Sequence, residues 1–129
     1  MRILAVDPGE VRIGLAISDP SGTIARPLEV IPHHSRDQDA AKIVEIASQQ
    51  GAQRIVVGLA VDPEGRLGSQ ARKALRLVTT LTQSTGITVE TWDESFSTQR
   101  AESIRTGDPD LDARAAAFIL QDYLDAHNA

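Results

Sequence analysis

Two neighbouring stretches decide the fold: Arg2-Ile3-Leu4-Ala5-Val6-Asp7-Pro8-Gly9, and close behind it Arg12-Ile13-Gly14-Leu15-Ala16-Ile17-Ser18. Residues 2–7 form a short apolar run that ends in an acid and is closed by a Pro-Gly turn, which reads as a buried strand. Residues 12–18 read as a second strand, closed by Asp19-Pro20-Ser21-Gly22. Residues 23–31 read as a third, and Pro27 marks it as an edge strand or an irregular one. Three strands joined by tight turns predict an antiparallel meander.

Beyond residue 36 the period changes. Ala40, Ala41, Ile43, Val44, Ile46 and Ala47 recur at helical spacing over 37–50, and Gly51 is placed to end that helix. Residues 54–59 predict a fourth strand, buried on both faces. Residues 60–68 are a loop, 69–85 a helix followed by Gly86, and 87–92 a fifth strand. A short helix is expected over 97–105 and a last one over 112–127. The expected class is α/β: a five-stranded mixed sheet, antiparallel meander plus parallel strands, flanked by helices.

The chain has 129 residues, the size of one domain, here 1–129. It has no cysteine, which excludes disulfides and thiolate-held metals. Neither a signal peptide nor a long apolar run is visible, so a soluble cytoplasmic protein with no membrane association is expected. The net charge of −5 argues against a protein that coats nucleic acid by bulk charge. It is compatible with acids that hold metal ions. A Walker-type phosphate loop and a Gly-x-Gly-x-x-Gly turn are both missing.

The informative residues are acids at strand and helix ends. Asp7 ends the first strand, where burying a carboxylate is costly without a partner. Asp93 and Glu94 follow the fifth strand and would reach the same sheet edge. Asp112 opens the last helix, with Asp108 and Asp110 close by, and spacing alone does not choose among these three. The plainer reading makes each acid a turn or helix cap. Carboxylates gathered from separate elements suit Mg²⁺ or Mn²⁺, which prefer oxygen ligands. His33, His34 and His127 read as solvated residues of a loop and the C-terminal tail. Arg12, Arg66, Arg72, Arg100, Arg105 and Arg114 are candidates for a phosphate track. The apolar stripe around Ala115 to Leu124 could pair two subunits in a homodimer, although core packing is its more ordinary use.

The residues from Met1 to Gly9 and from Arg12 to Asp19, with Ile55-Val56-Val57-Gly58-Leu59, Trp92-Asp93-Glu94, Ser97-Thr98 and Asp112 through Leu124, resemble the YqgF family in order along nearly the whole chain. These are Holliday-junction-resolvase-like proteins, also described as pre-16S rRNA nucleases. The resemblance implies a ribonuclease H-like fold and metal-dependent cleavage of nucleic-acid phosphodiesters, in 5′-end maturation of 16S ribosomal RNA. It carries the catalytic and metal-holding acids to Asp7, Glu94 and Asp112, with Mg²⁺ or Mn²⁺ as cofactor. Arg12, Arg114, Ser97 and Thr98 become substrate-binding candidates, for pre-rRNA first and branched DNA second. The chain departs from the family pattern at Glu10-Val11, Ala60 and Ser95, and its segment between Glu94 and Asp112 is short. The short segment and Ser95 keep open a catalytically weak RNA-binding assembly factor, and a junction-resolving DNA nuclease stays open because catalytic acids read a phosphate rather than a sugar.

Overall fold

The computed structural model describes residues 1–61, 64, 66–94 and 109–128. The elements are β1 (Ile3–Pro8), β2 (Arg12–Ser18), β3 (Ala25–Pro32), α1 (Arg36–Gln50), β4 (Arg54–Ala60), α2 (Ser69–Ser84), β5 (Thr88–Glu94) and α3 (Pro109–His127). The strands form one sheet in the order β3-β2-β1-β4-β5. β1, β2 and β3 pair antiparallel, while β4 and β5 run parallel to β1. This is the mixed sheet that the sequence predicts. The short helix expected over 97–105 lies outside the described residues.

Two boundaries move. β5 runs on to Glu94, so Asp93 and Glu94 are its last residues rather than a cap beyond it. Alternation then sends them to opposite faces, and Asp93 is exposed. The last helix starts at Pro109, three residues earlier than the apolar periodicity suggests, so Asp112 sits inside the first turn and is not the N-cap. Proline is well suited to a first helical turn, since its missing N–H has no intrahelical partner there anyway.

Alternation along β1 divides the core. Leu4 and Val6, with Ile13, Leu15, Ile17, Ile55 and Val57, face α1 and α2. Those helices contribute Ala40, Ile43, Ala47, Ala74, Leu77 and Leu81. Ile3 and Ala5, with Ala16 and Val56, face α3, which contributes Ala116, Leu120, Tyr123 and Leu124. The apolar stripe of α3 is thus used by the core of its own chain. Around Gly14 and Gly58 the α3 side of the sheet is made of small residues, and the helix comes down close upon it. A Cβ on Gly14 would stand 2.0 Å from the Asp112 carbonyl oxygen, and one on Gly58 would stand 2.8 Å from Ile119 Cδ1.

The ends of the elements follow local chemistry. Ser35 caps α1 by accepting from the Gln38 N–H, and Gly51 closes it at φ 67°. β3 is an edge strand whose pairing with β2 shifts register between Leu15 and Ala16, next to Pro27. The β2–β3 turn is organised by the Asp19 carboxylate, which accepts from the N–H groups of Thr23 and Ile24 at 2.8 and 3.0 Å and from the Ser21 hydroxyl. Gln121 of α3 anchors the start of β3, accepting from the Ala25 N–H at 2.9 Å and donating to Thr23 O at 3.0 Å. Among the described residues no helix is long and apolar enough to cross a membrane.

Gly14→Ala is expected to destabilise the chain by about 1–3 kcal/mol, because backbone faces the new methyl group and no rotamer change relieves the clash. Gly58→Ala should cost less, since the terminal methyl of Ile119 can turn aside. Urea unfolding of the two variants beside wild type measures the difference. The hydrogen bond from the Ile24 N–H, then the Ser21 hydroxyl and the Thr23 N–H, hold the Asp19 carboxyl well below the usual range. A lowered folded-state value means stability that is present above the unfolded value, near about pH 4, and lost as pH falls toward the folded one. Asp19→Ala should therefore be less stable than wild type at neutral pH, with the gap closing in acid-unfolding curves below about pH 4.

Candidate active site

The site is built at the carboxyl end of the central strand. Asp7 pairs with Gly14 across the antiparallel β1–β2 ladder, and directly paired residues share a face. The parallel β1–β4 register, continued one step beyond Val6 and Val57, brings Gly58 beside Asp7. Gly58 in turn pairs with Trp92, and Ala60 with Glu94. A row of Gly14, Asp7, Gly58 and Trp92 therefore crosses the sheet on the α3 face, with Glu94 one pleat further toward the edge. Two strand spacings separate Asp7 from Glu94 laterally, about 9–10 Å between backbones. Asp7 is only 3% exposed. With a glycine on each side, no neighbouring Cβ crowds it.

Asp112 joins this row from above. Its carbonyl lies over Gly14, the partner of Asp7. Its side chain reaches Arg12, which stands two residues from Gly14 on the same face of β2. Arg12 Nε donates to Asp112 Oδ2 at 2.7 Å, with the two side chains 25% and 14% exposed. The pair is charge-assisted and largely shielded from water, so it holds the first turn of α3 on the sheet. The sequence places these partners a hundred residues apart, and no local pattern announces the pairing. The two strand glycines carried a readable signal, since an interior strand glycine often marks a close approach of backbone.

The other candidates fall into groups. Arg114 lies two residues past Asp112, about 200° around the helix. It is exposed and makes no ion pair among the described residues. Arg66 pairs with Glu64 at 3.3 Å, and Arg72 is exposed on α2. Ser97, Thr98, Arg100, Arg105 and Asp108 lie outside the described residues. Two histidines are more engaged than the sequence suggests. His33 Nδ1 meets the buried Asp39 carboxylate. His127 belongs to the last turn of α3, where its ring stacks on Tyr123 with centroids 4.0 Å apart.

The donor set is right for a hard cation: carboxylate oxygens from a strand, a second strand and a helix, on one face and at one edge. Among the described residues, no three acidic or imidazole side chains stand close enough together to hold a metal ion. Asp112 is turned to Arg12 instead. Bringing the three acids onto one ion requires movement of their side chains, on a backbone that already stacks Asp112 over the partner of Asp7.

A buried acid at the carboxyl end of the central strand, in a mixed sheet of order β3-β2-β1-β4-β5 with helices on both faces, defines a protein of the ribonuclease H-like fold. The Thermus thermophilus RuvC structure superposes with a TM-score of 0.61 at 17% identity, covering 99% of this chain and 96% of that one. The chain belongs to the family described as RuvX: Holliday junction resolvase, which it matches over residues 1–126. A relative from Symbiobacterium thermophilum is 41% identical, covering 100% of this chain and 95% of its own length. One from Desulforamulus reducens is 37% identical, covering 98% of each. Both carry the name “Putative pre-16S rRNA nuclease”.

Arg12→Ala leaves Asp112 partly buried without its cation. It should lower stability by about 1–2 kcal/mol, between the exposed and buried limits for ion pairs. Arg114→Ala, on the exposed side of α3, should stay within about 0.5 kcal/mol of wild type. A double-mutant cycle of Arg12→Ala with Asp112→Asn, read by urea unfolding, should show coupling between the two sites.

Proposed function

We propose that this protein is a metal-dependent nuclease that hydrolyses nucleic-acid phosphodiesters through Asp7, Glu94 and Asp112, and that its substrate is precursor 16S ribosomal RNA. One observation carries the reading. A carboxylate 3% exposed stands at the end of the central strand, between two glycine positions, with the Asp112 backbone packed over its strand partner. A carboxylate at the carboxyl end of a central strand, held by the sheet and flanked by glycines, is well placed to serve a hard cation. The family membership and the names of the relatives support the same chemistry.

Asp7, Glu94 and Asp112 would hold Mg²⁺ or Mn²⁺, which when bound supplies a lowered pKa for an attacking water and neutralises charge on the phosphate. Asp7 is fixed by the sheet and sets the position of the reacting phosphate. Glu94 sits one pleat nearer to solvent, on the side from which water reaches the edge. Asp112 and Arg12, which meet at 2.7 Å, both stand beside this site, the Arg12 guanidinium two residues along β2 from Gly14. There it can donate to a non-bridging phosphate oxygen in the bidentate manner that suits arginine. In the resting chain the pair keeps Asp112 neutralised, which limits repulsion among the acids at this edge. Ser97, Thr98 and Arg114 complete the proposed contacts to substrate.

Branched DNA is the second reading, favoured by the family description and by the likeness to a resolvase fold. Acids that act on a phosphate do not discriminate one sugar from the other.

The deciding assay offers a labelled structured precursor RNA and a labelled four-way DNA junction to wild type and to Asp7→Asn, in Mn²⁺, in Mg²⁺ and in EDTA. The expected result is cutting of the RNA in metal only, reduced at least about a hundredfold in the variant, as is usual when a group essential to the transition state is removed. Circular dichroism should show the variant folded. Cutting that survives Asp7→Asn or EDTA refutes the three-acid site. Preferential cutting of the junction replaces the RNA with branched DNA as the substrate.

A further inference from the structure

On the sheet face opposite α3, a cavity of about 100 Å³, open to solvent, lies between the Pro8–Gly9 turn, the start of α1 and the first turns of α2. Its floor is apolar, with Ile13 and Leu77 both buried. Its rim carries Arg36, Lys73 and Arg76. All three are exposed, and none forms an ion pair among the described residues. In an acidic chain with 13 basic residues, three unpaired cations around one cavity is a strong local bias.

The remaining polar groups sharpen the choice of occupant. Glu10 and Asp39 are the acids that line the cavity. Asp39 is buried and already held, meeting His33 Nδ1 and accepting from the His34 N–H at 2.9 Å. Its carboxylate oxygens are therefore engaged by the loop before α1, and three cations outnumber the two acids in the lining. Gln70 donates through Nε2 to the Pro8 carbonyl at 3.2 Å, and its Oε1 is buried with no hydrogen-bond partner. A buried acceptor left unmade costs about 1–3 kcal/mol, so this atom favours a ligand that brings an O–H or N–H. Cations for a phosphate, an apolar floor for a flat or carbon-rich group and an acceptor for a hydroxyl or amine together describe a nucleotide unit.

We propose that this cavity binds one nucleotide of a nucleic-acid strand, with its phosphate on Arg36, Lys73 and Arg76 and a sugar or base hydrogen on Gln70 Oε1. Pro8, in the lining, directly follows Asp7, so a strand crossing this edge of the sheet meets the acids on one face and the cations on the other. The choice of a strand over a free nucleotide rests on the nuclease reading. The cavity then anchors the strand beside the scissile phosphate, which an acidic active site cannot do alone.

The test is binding without catalysis: anisotropy of a short labelled single-stranded RNA in EDTA, over a range of salt. Lys73→Ala/Arg76→Ala should weaken binding about tenfold or more and flatten the log–log salt slope by about 0.7, the contribution of the one phosphate that these cations share. A control that removes two cations elsewhere, Arg26→Ala/Lys42→Ala, should leave the slope near that of wild type. Alanine at two exposed helix positions favours the helix, so folding is retained. Gln70→Leu should weaken binding with no change of slope.

A slope unchanged in Lys73→Ala/Arg76→Ala, or no binding by wild type, overturns the proposal. Adenosine monophosphate that binds as tightly as the RNA overturns its assignment to a strand. A chain that binds RNA through these cations and cuts nothing keeps this site and loses the nuclease reading. Cutting with an unchanged slope does the reverse.

Discussion

The structure depends on how closely α3 approaches the sheet. At Gly14 the separation leaves no room for a single methyl group, since a Cβ there would fall 2.0 Å from the Asp112 carbonyl. The surrounding surface is built for the same approach, with Ala5, Ala16 and Gly58 below and Ala116 above. Small side chains sacrifice buried area, which is a loss of hydrophobic driving force. The area is recovered at the other end of the helix, where Leu120, Tyr123 and Leu124 pack on Ile3 and Val56 and Trp92 flanks them. The helix is thus held firmly at its C-terminal half and brought close at its N-terminal half. The close end is where the Asp112 backbone lies over Gly14, the strand partner of Asp7.

The same approach solves an electrostatic difficulty. Asp7, Glu94 and Asp112 share one edge of a chain whose net charge is already −5. Like charges brought together on a poorly solvated surface repel, and each loses water as well. Arg12, on the same face as Gly14, meets Asp112 and removes one charge from the balance. Across the edge, Arg36, Lys73 and Arg76 balance the acids from the opposite face. The chain keeps its attractive and repulsive fields for a polyanion a sheet's thickness apart.

Most elements were legible because they obey one dominant period. β2 is found at its expected residues, and α1, β4 and α2 within one residue of theirs. The misreadings share a cause. β5 reaches Glu94 and α3 starts at Pro109 because, at these ends, backbone pairing and helical hydrogen bonding continue past the last apolar residue. Hydrophobic spacing registers burial and is silent about polar residues that remain in the ladder. The histidines are exposed, as the sequence predicts, but the contacts of two of them were not legible, for a similar reason. The partner of His33 is Asp39, six residues on, and that of His127 is the ring of Tyr123 one turn back. Neither contact leaves a hydrophobic signature.

By itself the sequence determined the alternation that sends Asp7 and Leu4 to opposite faces, the meander, the crossovers and the ordered set of motifs that marks the family. These follow from local sterics and from the two-residue and 3.6-residue periods, which every short window expresses. The tertiary structure alone decided that Gly14 lies beneath Asp112, that Arg12 and not Arg114 meets that acid, and that Arg36, Lys73 and Arg76 converge on one cavity. Each of these depends on residues distant in the chain meeting at a separation of a few ångströms. That separation is set by the summed volumes of the side chains between helix and sheet, a quantity that no local window contains.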